Sequence, residues 1–454
     1  MVKIELLKEG AAHIRINVCR STLVSSWNGM KAKIFVSLVM TLLGSLLVSS
    51  CSFSAHDTSA STPAPATTNA PKAAYYTEYP ATTAAPAGEV PKDAPKGEVP
   101  RDGDEHRIKI VRLYYATDRK RTGDTEPTKF YGSERTSRDT PLEYGVCHVT
   151  LPPEHQFAKL EEYSLLRWET KNSPEKHVTL VNLRPKAELD FFSDLRQTVN
   201  ASSKKEIFVF IHGYNVTWED SARRAGQIAY DIGLDKTRGA PLLFSWPSQG
   251  DLLGYVTDET NVRVSKLHLA NLLTNLVAQS GAEHINILAH SMGNQALAEA
   301  LHMIGLSMPT TQGPVFNQVI MAAPDIDVDQ LGGMSEAMAH TAKHFTIYSC
   351  KSDLPVRVSR WFHGDHARVG SFALVNGFDT IDATLVQVSG LLNHSYVGSV
   401  PRVLLDVRKI FEFGCSVQER CCCCFEERRE MTNGYWGFRA GEITNCSHSI
   451  ACNR

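Results

Sequence analysis

The stretch "INILAHSMGNQALAEAL", Ile285 to Leu301, runs from a short, mostly apolar segment into a helix through a turn that carries one serine. A residue at the tip of a strand–turn–helix can expose its side chain only if its neighbours are small. That is the physical content of the nucleophile-elbow pattern Gly-x-Ser-x-Gly. Here the pattern reads Ala289-His290-Ser291-Met292-Gly293, with alanine in the first small position. A serine at a helix start is also a favoured N-cap. The local sequence therefore leaves two readings of Ser291 open, and the rest of the chain has to separate them.

Strand-like and helix-like patterns alternate from about residue 106 to 412. "RIKIVRLYYATDR" (Arg107 to Arg119) and "YGVCHVTLP" (Tyr144 to Pro152) read as early strands. "EIFVFIHGYN" ends in a turn, "WEDSARRAGQIAYDIGL" follows as a helix, and "APLLFSWPS" is the next buried strand. Leu269, Leu272, Leu273, Leu276 and Val277 then fall on one helical face. "HINILAH", "NQVIMAAPD", the helix-like "SEAMAHTAKH" and "FTIYSC" complete the alternation. Continuous apolar strands separated by helices predict an α/β fold, a mainly parallel central sheet with helices on both faces. Ligands of such sheets bind beyond the carboxyl ends of the strands. His212 to Asn215, Ser245 to Ser248, His290 with Ser291, Asp325, and Ser352 with Asp353 are expected to face one crevice there.

A serine hydroxyl becomes a nucleophile when a base takes its proton and an acid orients the base. In this fold type the chain order is serine, acid, histidine. Asp353 in "YSCKSD" is the preferred acid because it ends the second strand after the serine. Asp325 in "AAPDIDVD" is the alternative, or else a turn cap after Pro324; Asp327 and Asp329 are expected deeper in a loop. His394 in "LLNHSYVGS" is the preferred base, with His363 and His366 as alternatives. The oxyanion needs backbone donors, predicted to be the amides of Tyr214 in "HGYN" and of Met292. His212 is expected to organise that loop, and Gly213 to permit a turn that a Cβ could block. Trp246 reads equally as a pocket wall or as core. This chemistry calls for no cofactor and no metal.

The segments "FIHGYNVTWEDSARRAGQIAYD", "LLFSWPSQGDLLGYVTDE", "INILAHSMGN", "VIMAAPDID", "TIYSCKSDLPVRVSR" and "NHSY", preceded by "YYATDR", resemble the α/β-hydrolase family of the domain-of-unknown-function 900 type. The resemblance covers roughly Val111 to Leu405. It implies an α/β-hydrolase fold with Ser291, Asp353 and His394 as the matching triad, and it supplies no substrate.

The ends of the chain read differently. "MKAKIFVSLVMTLLGSLLVSSC", Met30 to Cys51, has a basic start, an apolar run and small residues before a cysteine, the layout of an export signal. "LLVSSC" resembles the lipobox of bacterial lipoproteins, which implies a lipid on Cys51 and a cell-envelope location. Ser52, not aspartate, follows it, which favours the outer membrane facing the periplasm. Residues 1–29 are an awkward leader, so Met30 is a candidate start. Pro, Ala and Thr dominate 52–105, expected to be an extended tether between membrane and domain. Seven of the eleven cysteines crowd the tail after Phe413, which includes the run Cys421 to Cys424. Four adjacent cysteines lack zinc-site spacing, so the tail reads as disordered or as a non-native end.

The 454 residues carry a formal net charge of −2, with 43% hydrophobic and 21% charged residues. This is the balance of a globular protein that gives no reason to expect nucleic acid as partner. The reading that absorbs most of these features is a carboxylic-ester hydrolase acting through an acyl-enzyme on a small-molecule or lipid ester. An acyltransferase, a thioesterase, and an envelope scaffold that keeps the fold without the chemistry are the alternatives.

Overall fold

The computed structural model describes residues 107–162, 172–251, 254–309, 311–351, 359, 366–386, 396–414, 416–417, 425–430 and 433–438. The leader, the signal-like segment, Cys51, the tether, Asp353, His363, His394 and Cys421 to Cys424 lie outside them.

The strands are β1 (Lys109–Thr117), β2 (Arg119–Arg121), β3 (Tyr131–Arg135), β4 (Glu143–Leu151), β5 (Thr179–Lys186), β6 (Glu206–Ile211), β7 (Gly239–Ser245), β8 (His284–His290), β9 (Phe316–Ala322), β10 (Ala342–Ser349), β11 (Asp379–Asp382), β12 (Phe425–Glu430) and β13 (Asn433–Phe438). The main helices are α1 (Glu188–Ala201), α2 (Trp218–Asp231), α3 (Tyr255–Gln279), α4 (Gly293–Ser307), α5 (Val328–Ala339) and α6 (Pro401–Phe413). Eleven strands form one sheet in the order β12-β13-β11-β10-β9-β8-β6-β7-β1-β4-β5, and β2 pairs with β3 apart from it. From β1 through β7, β6, β8, β9, β10 and β11 to β13 the pairings are parallel; β4, β5 and β12 join antiparallel.

The side-chain alternation of the strands explains why helices cover both faces. Ile207, Val209 and Ile211 of β6 pack into one core with α1, α3, α4 and α5. Phe208 and Phe210 of the same strand pack into the other, with α2 and α6. The chain leaves β6 for β7 on one side and later returns to β8 on the other. β6 is therefore the switch point, where ligand crevices form in such sheets.

Local chemistry sets the helix ends. The Thr217 hydroxyl accepts from the Asp220 amide at 3.1 Å and starts α2, with Glu219 and Asp220 in its first turn. Asp327 caps α5 through the amides of Asp329 and Gln330. This corrects the expectation that Asp327 and Asp329 lie in a loop: α5 begins seven residues before "SEAMAHTAKH", whose last residues already belong to β10. Pro401 sits in the first turn of α6, and Gly414, with φ +66°, ends it.

Part of the tail, 425–430 and 433–438, is among the described residues. β12 and β13 form an antiparallel hairpin, and β13 extends the sheet beside β11 through Ile381–Trp436 and Asp382–Gly437. Phe425 and Phe438 are buried on each other at 4.7 Å between ring centroids. An open sheet edge accepts any strand that brings apolar side chains to cover it, which a reading of cysteine composition overlooks.

Candidate active site

Ser291 stands at the carboxyl end of β8, one residue beyond the strand and two before α4. Its φ is +51°, a left-handed conformation rare for a residue with a side chain. An N-cap ordinarily has extended backbone, and Met292 rather than Ser291 flanks the helix. The strained turn is bolted in place: the Ser291 amide donates to Ala322 O at 2.9 Å, and its carbonyl accepts from the Asn294 amide, Asn294 Nδ2 and the Asp325 amide at 3.0 to 3.3 Å. Two more non-glycine residues with positive φ end neighbouring strands, Asn215 (+58°) after β6 and Ala323 (+45°) after β9. Strain thus gathers at the carboxyl ends of adjacent strands, the usual place for function in this fold.

Space at the turn is equally restricted. A Cβ on Gly213 would lie 2.8 Å from Ser291 Cβ and 2.9 Å from His290 Nδ1. A Cβ on Gly293 would collide with the His212 carbonyl. Gly213 does not have a positive φ. Its requirement is close approach to the serine, which a Cβ would block. Ala289, fully buried, occupies the first small position and pairs with Ile211 of β6 and Met321 of β9.

The loop after β6 is held at almost every polar group. His212 Nδ1–H donates to Gly213 O at 2.9 Å, and Nε2 then faces Ser245 Oγ at 3.3 Å and Arg119 at 3.5 Å. Burial, then the Arg119 charge, holds the imidazole well below its ordinary range, so it is neutral. Trp246 stacks on it at 5.0 Å and donates Nε1–H to its carbonyl at 2.8 Å. Trp246 is fully buried, so it supports the loop from the core. The Asn215 amide reaches Asp258 at 3.4 Å, and the Val216 amide reaches Ser248 Oγ at 3.0 Å. Among the described residues, no acceptor takes the backbone N–H of Tyr214 or of Met292. One such donor thus lies in the loop after β6 and the other in the residue that follows Ser291, and backbone donors of this kind are what an oxyanion needs.

Two side chains that the sequence did not single out organise this frame. Arg119 of "YYATDR" is buried and donates to Ser245 Oγ, Gly132 O, Ser248 O and Val216 O at 2.8 to 3.0 Å. Burial pulls its guanidinium down to about 10, against the charges of Asp118, Asp258 and Asp220, so it stays cationic at neutral pH. Asp258 of α3 accepts from Ser248 Oγ and from the Gln249 amide at 2.7 Å. Burial raises its carboxyl above the usual range despite those bonds. Ser245 and Ser248 therefore turn inward to Arg119 and Asp258, which corrects the expectation that they face the crevice. Their partners lie far away in sequence, so no local pattern shows them.

Asp325 is buried 3% exposed beside the turn. Its Oδ2 accepts from Tyr255 at 2.7 Å, its Oδ1 from Ser359 at 2.6 Å, and Arg368 Nε stands 3.7 Å away. His366 is exposed.

Residues 187–410 match the family model described as "Alpha/beta hydrolase of unknown function (DUF900)". This stretch belongs to that family. The large, mostly parallel sheet flanked by helices is the α/β-hydrolase fold that this description names. No curated protein matches the chain. A crystal structure of an uncharacterised protein from Capnocytophaga ochracea is similar at 10% identity and a TM-score of 0.28, over 59% of this chain. This chain spans 61% of that structure's length.

Proposed function

We propose that the domain is a serine hydrolase that cleaves carboxylic esters through an acyl-enzyme. The observation that carries this reading is the Ser291 turn: a strained serine at a strand end, with an unspent backbone N–H in the next residue and another in the β6 loop, whose glycine is pressed against its Cβ. Ser291 Oγ attacks the ester carbonyl while His394 takes its proton and Asp353 orients His394. The amides of Tyr214 and Met292 hold the oxyanion. His394 returns the proton to the leaving alcohol, and water, activated by the same base, releases the acid. A fluorophosphonate probe on the purified protein tests this. Labelling that disappears in Ser291→Ala is the expected result. A folded wild-type protein that takes no label overturns the reading and leaves a fold used for binding.

The signal-like segment and "LLVSSC" support a lipid on Cys51, which would place the domain on a tether at the outer membrane facing the periplasm. A mass increase by acyl chains that Cys51→Ala abolishes is expected, and an unmodified Cys51 in the envelope fraction refutes it.

A further inference from the structure

Tyr255, the first residue of α3, touches both halves of the candidate site. Its hydroxyl donates to Asp325 Oδ2 at 2.7 Å and lies 2.8 Å from Ser359 Oγ, which itself donates to Asp325 Oδ1 at 2.6 Å. The Asp325 amide in turn donates to the Ser291 carbonyl at 3.3 Å, and Gln295 Nε2 of α4 holds the Asp325 carbonyl at 2.8 Å. On its other side the Tyr255 ring meets the Tyr214 ring edge-on, with centroids 5.3 Å apart and planes at 63°. Tyr214 carries the unspent amide of the β6 loop. Among the described residues, the charges facing the phenol are Asp325 and, beyond it, Arg368. Burial, then the Asp325 charge, keeps the hydroxyl protonated far above neutral pH, so it remains a donor.

We infer that Tyr255 is a positioning residue that sets the distance between the nucleophile turn and the oxyanion loop, acting through Asp325 on Ser291 and through its ring on Tyr214. This rests on the serine-hydrolase reading. A buried carboxylate with two hydroxyl donors is a rigid hub, because losing either donor leaves an oxygen without its partner. The turn whose carbonyl depends on that hub already holds a strained backbone, so it has little freedom to compensate. Oxyanion stabilisation depends on donor position, and a misplacement of about 1 Å costs on the order of 100-fold in rate.

The test is Tyr255→Phe in the full-length protein, with Ser359→Ala and the double variant beside it. Phenylalanine keeps the ring against Tyr214 and removes only the hydroxyl. The rate of fluorophosphonate labelling at Ser291 and the split of kcat from KM on a short-chain p-nitrophenyl ester are read together with thermal unfolding. Tyr255→Phe is expected to lower kcat and the labelling rate in parallel by about 10- to 100-fold, with KM within about 3-fold. Ser359→Ala should lose less, and the double variant less than the product of the two, since both act on one carboxylate. A Tyr255→Phe protein that labels at the wild-type rate, or changes only in melting temperature or KM, overturns the inference and leaves the hydrolase reading standing. Wild type that never labels removes both.

Discussion

Replacing Gly213 by alanine tests the geometry of the Ser291 turn most directly. The new methyl carbon would lie 2.8 Å from Ser291 Cβ, 2.9 Å from His290 Nδ1 and 3.2 Å from His290 O. Carbon atoms rest at about 3.5–4.0 Å, so the loop and the turn must part by roughly 1 Å. Neither side yields readily. The loop is tied through His212, Trp246, Asp258 and Ser248, and the turn through Ala322, Asn294 and Asp325. Overpacking of this kind costs about 1–3 kcal/mol, enough to lower Tm by several degrees. A 1 Å displacement of one oxyanion donor lowers kcat on the order of 100-fold. Gly213 lacks a positive φ, so alanine strains contacts and not the backbone. Gly332→Ala is the matched control. It lies on the exposed face of α5 with nothing within 4 Å of the new methyl, and should stabilise by about 0.5–1 kcal/mol with activity unchanged. Differential scanning fluorimetry and ester hydrolysis on both variants decide the matter. A Gly213→Ala protein that melts and turns over like wild type refutes the steric reasoning.

Two further outcomes are expected. Asp353→Asn should reduce kcat by about 10⁴-fold, the usual consequence of losing the acid that orients the base, whereas Asp325→Asn should cost far less; the reverse order would make Asp325 the acid. His155 bridges Glu161 at 2.8 Å and Asp231 at 3.0 Å. Burial alone would push its imidazole down, but the hydrogen bonds and charges of Asp231 and Glu161 outweigh it and raise it from 6.5 to about 9. The stability it adds is therefore fully present below pH 6.5 and lost as pH rises through about 9. The bonds and charge of His155 hold Glu161 below its usual 4.5, despite burial, so its contribution is present above that pH and falls away in acid. Unfolding free energy measured from pH 6 to 10 should decline, and His155→Gln should flatten the decline; an unchanged slope in that variant would rule out this imidazole as its source.

The continuous apolar runs "EIFVFI", "APLLFS" and "HINILAH", with the turn residues between them, are a local property, so the strands and the parallel sheet are legible in the chain itself. Ser291 is legible for the same reason: strand, small residues and helix are contiguous in the chain. The framework around it is not. Arg119 meets Ser245 and Ser248 more than a hundred residues away, and Asp325 meets Tyr255 from seventy. Such pairs form only when the sheet order brings strand ends together, and no periodicity encodes that. Tertiary contact also turned Trp246 inward and seated the tail's hairpin on the sheet edge. Sequence alone determined which residue carries a hydroxyl at the turn. Packing decided how much room that hydroxyl has, because a positive φ and a glycine pressed against Ser291 Cβ are properties of neighbours that the chain brings together only on folding.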